Sequence, residues 1–301
     1  MIDRRSKIRG TSISDFIKDP EVKKKFKEWF DKPRFNSSKL SMIHTLITDK
    51  APLLGTAFDY LLRFKLQYSD SKAKAMAWAA EKTLLDPRVR SIIKYFNPGA
   101  SEKLIESWLK EGKALLKIAK KNHSKFLKDG EITGDLLRSC LHLAKLDVLH
   151  RRGIIVRFDD IDAGDIEDLR SLIRKIRMKQ FQTEDVCLLS PTFSNATKIS
   201  GIDGEADLVM DDTLIDIKTY TSPKFRREMF DQLMGYYLLS KIGGIDGAPE
   251  DHEIHKVGIY FSRHEYLHVI DLKDVFNQSE LNSILDWVIH KGKEISGLKA
   301  S

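Results

Sequence analysis

Apolar residues recur at helical spacing through the first half of the chain and at a period of two through most of the second. Residues 1 to about 50 are polar and charge-rich and read as an N-terminal helical extension. Asp19-Pro20 predicts a helix start with Pro at its first position. Val22, Phe26, Trp29 and Phe30 then share one apolar face, and the run Lys23-Lys24-Lys25 its solvated face. Gly55 and Thr56 read as a loop and an N-cap, followed by a helix with Phe58, Leu61, Leu62 and Leu66 inward. Residues 71 to 128 read as all-helical, punctuated at Pro87 and Pro98-Gly99. Their lysines fit an amphipathic solvated helix better than a nucleic-acid contact. A further helix spans about 134 to 153, with Leu137, Leu141, Ala144 and Val148 inward and Gly153 as its stop.

Residues 154–158 read as a short strand and 163–179 as a helix. From about Val186 the alternation marks strands in CLLSPTF, EADLVM, TLIDIKTY, VGIYFSR and LHVIDL. One helix, about 225 to 241, interrupts them, and another closes the chain at about 278 to 295. Helices first and a small sheet afterwards imply an α/β (α+β) fold.

The chemistry concentrates in the strand pair around Asp211-Asp212. A two-residue turn there sets Met210 opposite Thr213, and the same register sets Asp207 opposite Asp216. Paired residues share a face of the sheet. Alternation adds Lys218 beside Asp216, with Glu205 opposite it, and turns Ala206, Leu208, Ile215 and Ile217 to a core. Two carboxylates face to face repel, and a divalent cation removes the repulsion. Oxygen donors suit a hard ion such as Mg²⁺, which keeps several waters. A metal-bound water beside a lysine is a nucleophile for phosphodiester hydrolysis. The alternative is an exposed hairpin with a surface Asp216–Lys218 pair. Asp-Asp is not the strongest hairpin turn, so a slipped register that brings in Asp203 or Glu205 instead stays open.

Gly204-x-x-Asp207 followed by Asp216-x-Lys218 resembles the PD-(D/E)XK nuclease superfamily. The helix after the lysine strand carries Gln232-x-x-x-Tyr236, which resembles the motif of the RecB-type branch. Residues four apart share a helix face. The resemblance covers about 55–66 and 190–262. It implies a restriction-endonuclease-like core, a central mixed sheet of about four strands flanked by helices, within 51–301. A helical insertion then occupies about 71–180. It implies Asp207, Asp216, Lys218, Gln232 and Tyr236 as catalytic residues. It implies Mg²⁺ or Mn²⁺ on Asp207, Asp216, Asp59 and the Ile217 carbonyl. The branch has Gly-Thr-x-x-His upstream; here Gly55-Thr56-Ala57-Phe58-Asp59 puts an aspartate at the histidine position. Thr56-x-x-Asp59 is also a capping-box pattern, so Asp59 reads as ligand, cap or both. Tyr236 reads as either a site residue or core packing.

Composition narrows the setting. The 301 residues include 51 Lys and Arg against 44 Asp and Glu, a net charge of +7 that is compatible with a polyanionic partner. No run reaches the length of a membrane span, and no apolar stretch follows the basic start, so a cytoplasmic location is expected. Two cysteines cannot form a four-cysteine zinc or iron–sulfur site. No phosphate-binding G-x-x-x-x-G-K-[ST] loop is present, so no nucleotide-driven motor is expected. The nine histidines read as structural or surface residues. The function expected is a DNA nuclease. The alternatives are a DNA-binding or assembly subunit that works with a helicase, recombination, repair or defence partner, and an RNA substrate.

Overall fold

The structure is a computed structural model that describes residues 11–38 and 40–298. The basic N-terminal stretch of residues 1–10 lies outside the described residues. The chain is a mixed α/β protein. In chain order its elements begin with strand β1 (Thr11–Ser12), helices α1 (Ile13–Phe16) and α2 (Pro20–Trp29), the long α3 (Ala51–Ser69) and strand β2 (Ala73–Ala75). Five helices follow: α4 (Ala79–Leu85), α5 (Val89–Phe96), α6 (Glu102–Asp129), α7 (Gly134–Arg152) and α8 (Ala163–Arg174). The C-terminal part runs β3 (Cys187–Leu189), α9 (Ser194–Ser200), β4 (Ile202–Asp203), β5 (Leu208–Met210), β6 (Thr213–Lys218), α10 (Arg227–Gly243), β7 (Lys256–Phe261), β8 (Tyr266–Asp271) and α11 (Leu281–Ser296).

Among the described residues the main sheet has six strands, in the order β2-β3-β5-β6-β7-β8, rather than about four. β2 and β3 are parallel, as are β6 and β7; the other neighbours are antiparallel. β1 and β4 form a separate parallel pair. α10 makes the crossover between parallel β6 and β7, which a two-residue turn could not bridge.

The sheet separates two cores. Leu208, Met210, Ile215 and Ile217 face the core built from α3 to α8. Val209, Leu214, Val257 and Ile259 face the core shared with α1, α2, α9, α10 and α11. Strand alternation produces this division, because neighbours in a strand point to opposite faces. A fully buried Arg263–Asp168 pair, 2.9 Å apart, fastens α8 to the turn after β7. Asp168 also accepts from the Ile47 N–H at 2.9 Å, so one carboxylate holds three segments together.

Several expectations are corrected. α3 begins at Ala51, so Gly55 and Thr56 lie inside it and are neither loop nor cap. The Thr56 hydroxyl donates back to the Pro52 carbonyl at 3.3 Å, an in-helix bond that leaves no capping box for Asp59. The stretch 71–128 is not all-helical: Ala73–Ala75 pairs with β3 and extends the sheet. Residues 154–158 form no strand, and the chain there runs irregularly. The 163–179 helix ends at Arg174. Trp29 lies on the apolar face with Phe26 and Phe30, half-buried and packed against Trp287. Residues 11–30 pack closely on the rest, with Val22, Phe26 and Phe30 fully buried. No helix among the described residues is long and apolar enough to cross a membrane.

Candidate active site

The predicted register of β5 and β6 is observed over three pairs, but the expected backbone pairing of Asp207 with Asp216 is not among them. Met210 pairs with Thr213, Val209 with Leu214 and Leu208 with Ile215. The turn holds with Asp-Asp because each carboxylate is used. Asp211 takes a positive φ of 48° and accepts from the backbone N–H groups of Glu184, Asp185 and Val186. Asp212 pairs with Lys256 at 2.8 Å. The turn therefore ties the hairpin to the approach of β3 and to β7, and this fixes the register.

The ladder ends one step before Asp207. There the chain bends, and the Asp207 side chain replaces the next backbone partner: its Oδ2 accepts from the Ile217 N–H at 2.6 Å. Ala206 consequently leaves the face of Leu208, Ile215 and Ile217 and packs in the other core. Glu205 is not opposite Lys218; it bridges Thr192 and lies 3.9 Å from the Lys82 ammonium. Gly204 sits close under α10, where a methyl group would come within 2.7 Å of Leu239 and 3.4 Å of Tyr236.

Asp216 is 3% exposed and Lys218 Nζ stands 2.6 Å from its Oδ2. Burial pushes the Asp216 carboxyl up, and the charge of Asp207 adds to the effect. Burial opposes the charge of Lys218, but Asp216 and Asp207 outweigh it and hold the ammonium protonated. From α10, the Gln232 side-chain amide donates to the Tyr236 hydroxyl at 2.9 Å. Tyr236 also stacks on Phe193, at 5.8 Å between ring centres, so its ring is packed although the residue lines the cleft. Burial raises its pKa and keeps the phenol protonated.

Asp207, Asp216, Lys218, Gln232 and Tyr236 line one cleft of about 760 Å³. α3 supplies Asp59 to the same cleft. Its Oδ2 is 2.6 Å from Arg63 Nη2, its Oδ1 is buried without a hydrogen-bond partner, and burial pushes its pKa to about 7. Donor chemistry fits a hard divalent cation at Asp207 and Asp216, two adjacent carboxylates at the open end of a sheet. Among the described residues, however, no group of three or more His, Cys, Asp or Glu side chains is arranged to hold a metal ion. Arg63 engages the third expected carboxylate.

The opposite wall comes from α3, which the Gly55-Thr56-x-x-Asp59 pattern marked, and from α7, which no motif marked. Behind Asp59, Arg63 stacks over the Tyr60 ring at 4.5 Å. The Tyr60 hydroxyl donates to Asp147 Oδ1 at 2.8 Å. Asp147 is 2% exposed, and burial pushes its carboxyl to about 6. Arg151, one turn further along α7, lines the cleft with Arg152 and with His150, which bonds Thr83 at 2.8 Å. His150 thus has the structural role expected, a bond to Thr83, and also lines the cleft. Asp147 and Arg151 at i, i+4 were the available signal. The N-terminal segment adds Ser12, Ser14, Asp15 and Lys18 to the rim.

The chain matches no family model, and no curated protein or solved structure matches it.

Proposed function

We propose that the chain is a metal-dependent nuclease of the PD-(D/E)XK type, which hydrolyses DNA phosphodiester bonds. One observation carries the reading: Asp207, Asp216, Lys218, Gln232 and Tyr236, drawn from separate stretches of sequence, line a single cleft. A mixed sheet with a helix crossing between parallel β6 and β7 agrees with the restriction-endonuclease-like core such a nuclease needs.

Asp207 and Asp216, with the Ile217 carbonyl, would hold Mg²⁺ or Mn²⁺. Such an ion, when bound, supplies charge against the phosphate and acidifies water. The chain's own groups do the positioning. Lys218 has three donors and stays charged, so it orients a water or a phosphate oxygen beside Asp216. Gln232 spends an amide hydrogen on Tyr236. The phenol keeps its own hydrogen and would offer it to a substrate oxygen.

The test is cleavage of plasmid and of linear single- and double-stranded DNA with Mg²⁺, Mn²⁺ or EDTA, wild type beside Asp216→Ala. Metal-dependent cutting that the variant loses is the expected result. A second reading is a DNA-binding or assembly subunit of a larger repair, recombination or defence complex. The Asp59–Arg63 pair favours it, because it leaves two carboxylates disposed for a metal rather than three. No cutting by the wild type, with DNA retained in a gel shift, would select that reading.

A further inference from the structure

The cations of the cleft are not equivalent. Lys218 is held against Asp216 at 2.6 Å. Lys18 bonds Asp15 at 2.8 Å on the N-terminal rim. Arg63, behind the cleft, is committed to Asp59 at 2.6 Å and packed over Tyr60. Lys82 has a long pair, 3.9 Å to Glu205, and Arg152 lines the cleft beside Arg151. Arg151 is the guanidinium among them that stands by a buried carboxylate, Asp147. Arg151 enters from the last turn of α7 with its side chain 57% exposed, and its ion pair to Asp147 is a long 3.9 Å. Burial opposes its charge, yet Asp147, Asp59, Asp207 and Glu205 together raise its pKa. Arg151 therefore stands charged within the field of the candidate carboxylates, without a short bond to any of them.

A guanidinium offers five donors in a planar fork that matches two oxygens of a phosphate. Asp147 cannot take up that fork. It is buried, and its Oδ1 already accepts from Tyr60. At 3.9 Å it draws Arg151 towards the cleft by charge, without a hydrogen bond, and leaves the donors for a ligand.

We infer that Arg151 binds non-bridging oxygens of a nucleic-acid phosphate in the cleft, with Asp147 as the positioning residue that draws it there. The inference rests on the nuclease reading and adds to it a phosphate subsite, supplied by the helical wall.

The test is fluorescence anisotropy of a fluorescein-labelled DNA oligonucleotide with full-length Asp216→Asn protein in Mg²⁺, across a salt series. Adding Arg151→Gln should weaken binding by about tenfold or more and lower the slope of log affinity against log salt by about one. Arg151→Lys should restore the slope but leave affinity several-fold weak, because a point charge cannot fork. Asp147→Asn should weaken binding less, and its loss should not add to that of Arg151→Gln. Unchanged affinity and slope in Arg151→Gln overturn the inference. A lowered thermal midpoint with intact binding also overturns it, since the role is then structural. Absence of DNA binding by the Asp216→Asn protein at every salt concentration overturns it too. Wild type that cuts no DNA, combined with the predicted binding losses, removes the nuclease reading and leaves the phosphate subsite standing. Wild type that cuts, with Arg151→Gln binding normally, does the reverse.

Discussion

The two walls of the cleft acquire their charges by different routes. On the strand wall, Asp207, Asp216 and Lys218 are brought together around a turn of two residues, whose register is held by contacts to residues 184–186 and to Lys256. On the helix wall, Tyr60 and Asp147 meet although they are 87 residues apart in sequence. Strand register follows from period and turn, so a sequence states it. Helix contacts follow from how side chains interlock in three dimensions, and no spacing rule states that α3 and α7 lie side by side. A cleft can therefore have one wall that a motif describes and another whose assembly only the fold supplies.

The comparison can be broken from either side. The largest effect is expected on the strand wall. Asp216→Ala should lower the cleavage rate on the order of 10³-fold or more with folding intact, read by single-turnover kinetics and circular dichroism. Retained cleavage would remove the strand wall from the chemistry.

Next comes the attachment of the helix wall. Asp168→Ala leaves Arg263 charged, buried and without its carboxylate, which costs about 3–5 kcal/mol. Denaturant unfolding should show that loss. A change below about 1 kcal/mol would mean that the helices are held to the sheet by other contacts.

A smaller effect is expected at Gly153, which ends α7 just after Arg151-Arg152 with φ +70°. A Cβ there would meet the Phe96 ring at 2.1 Å. Gly153→Ala should cost about 1–2 kcal/mol from backbone strain alone, with more from the clash, read as a lower midpoint. An unchanged midpoint would show that the α7 terminus is slack.

The smallest effect carries a sign. Burial raises Asp147 to about 6, above its unfolded value near about 4. A raised carboxyl favours the folded state when protonated. Its contribution is full below the unfolded pKa and is lost as pH rises through about 6. Asn is neutral throughout, so the stability of Asp147→Asn relative to wild type should rise by about 1.4 kcal/mol between pH 5 and pH 8. A difference independent of pH would show that Asp147 is not buried as an acid.

Much of the fold was legible for the same reasons as the strand wall. The five strand runs, the crossing helix and the Gly153 stop all follow from short-range periodicity. Errors fell where a local signal competes with packing. Gly55-Thr56 has the composition of a helix start, yet Pro52 already starts α3 and the segment is carried on by its buried apolar neighbours. Ala73–Ala75 has helical composition and becomes a strand because β3 offers it a partner. Residues 154–158 read as a strand by composition, but the fold provides them with none. At the site, Gln232 and Tyr236 were legible through the resemblance of their segment to a family motif, and their spacing of four is what allows their mutual hydrogen bond. Arg63 was not, because nothing in its own segment says that a buried Asp59 needs a counter-charge.

The central claim is that the strand wall performs phosphodiester hydrolysis with Lys218 acting on the attacking water or the phosphate. The most direct measurement compares wild type and Lys218→Ala on one DNA substrate in Mg²⁺, with binding affinity measured in parallel. The account predicts a folded variant that binds DNA and does not cut it. Cutting at the wild-type rate by Lys218→Ala would contradict the account.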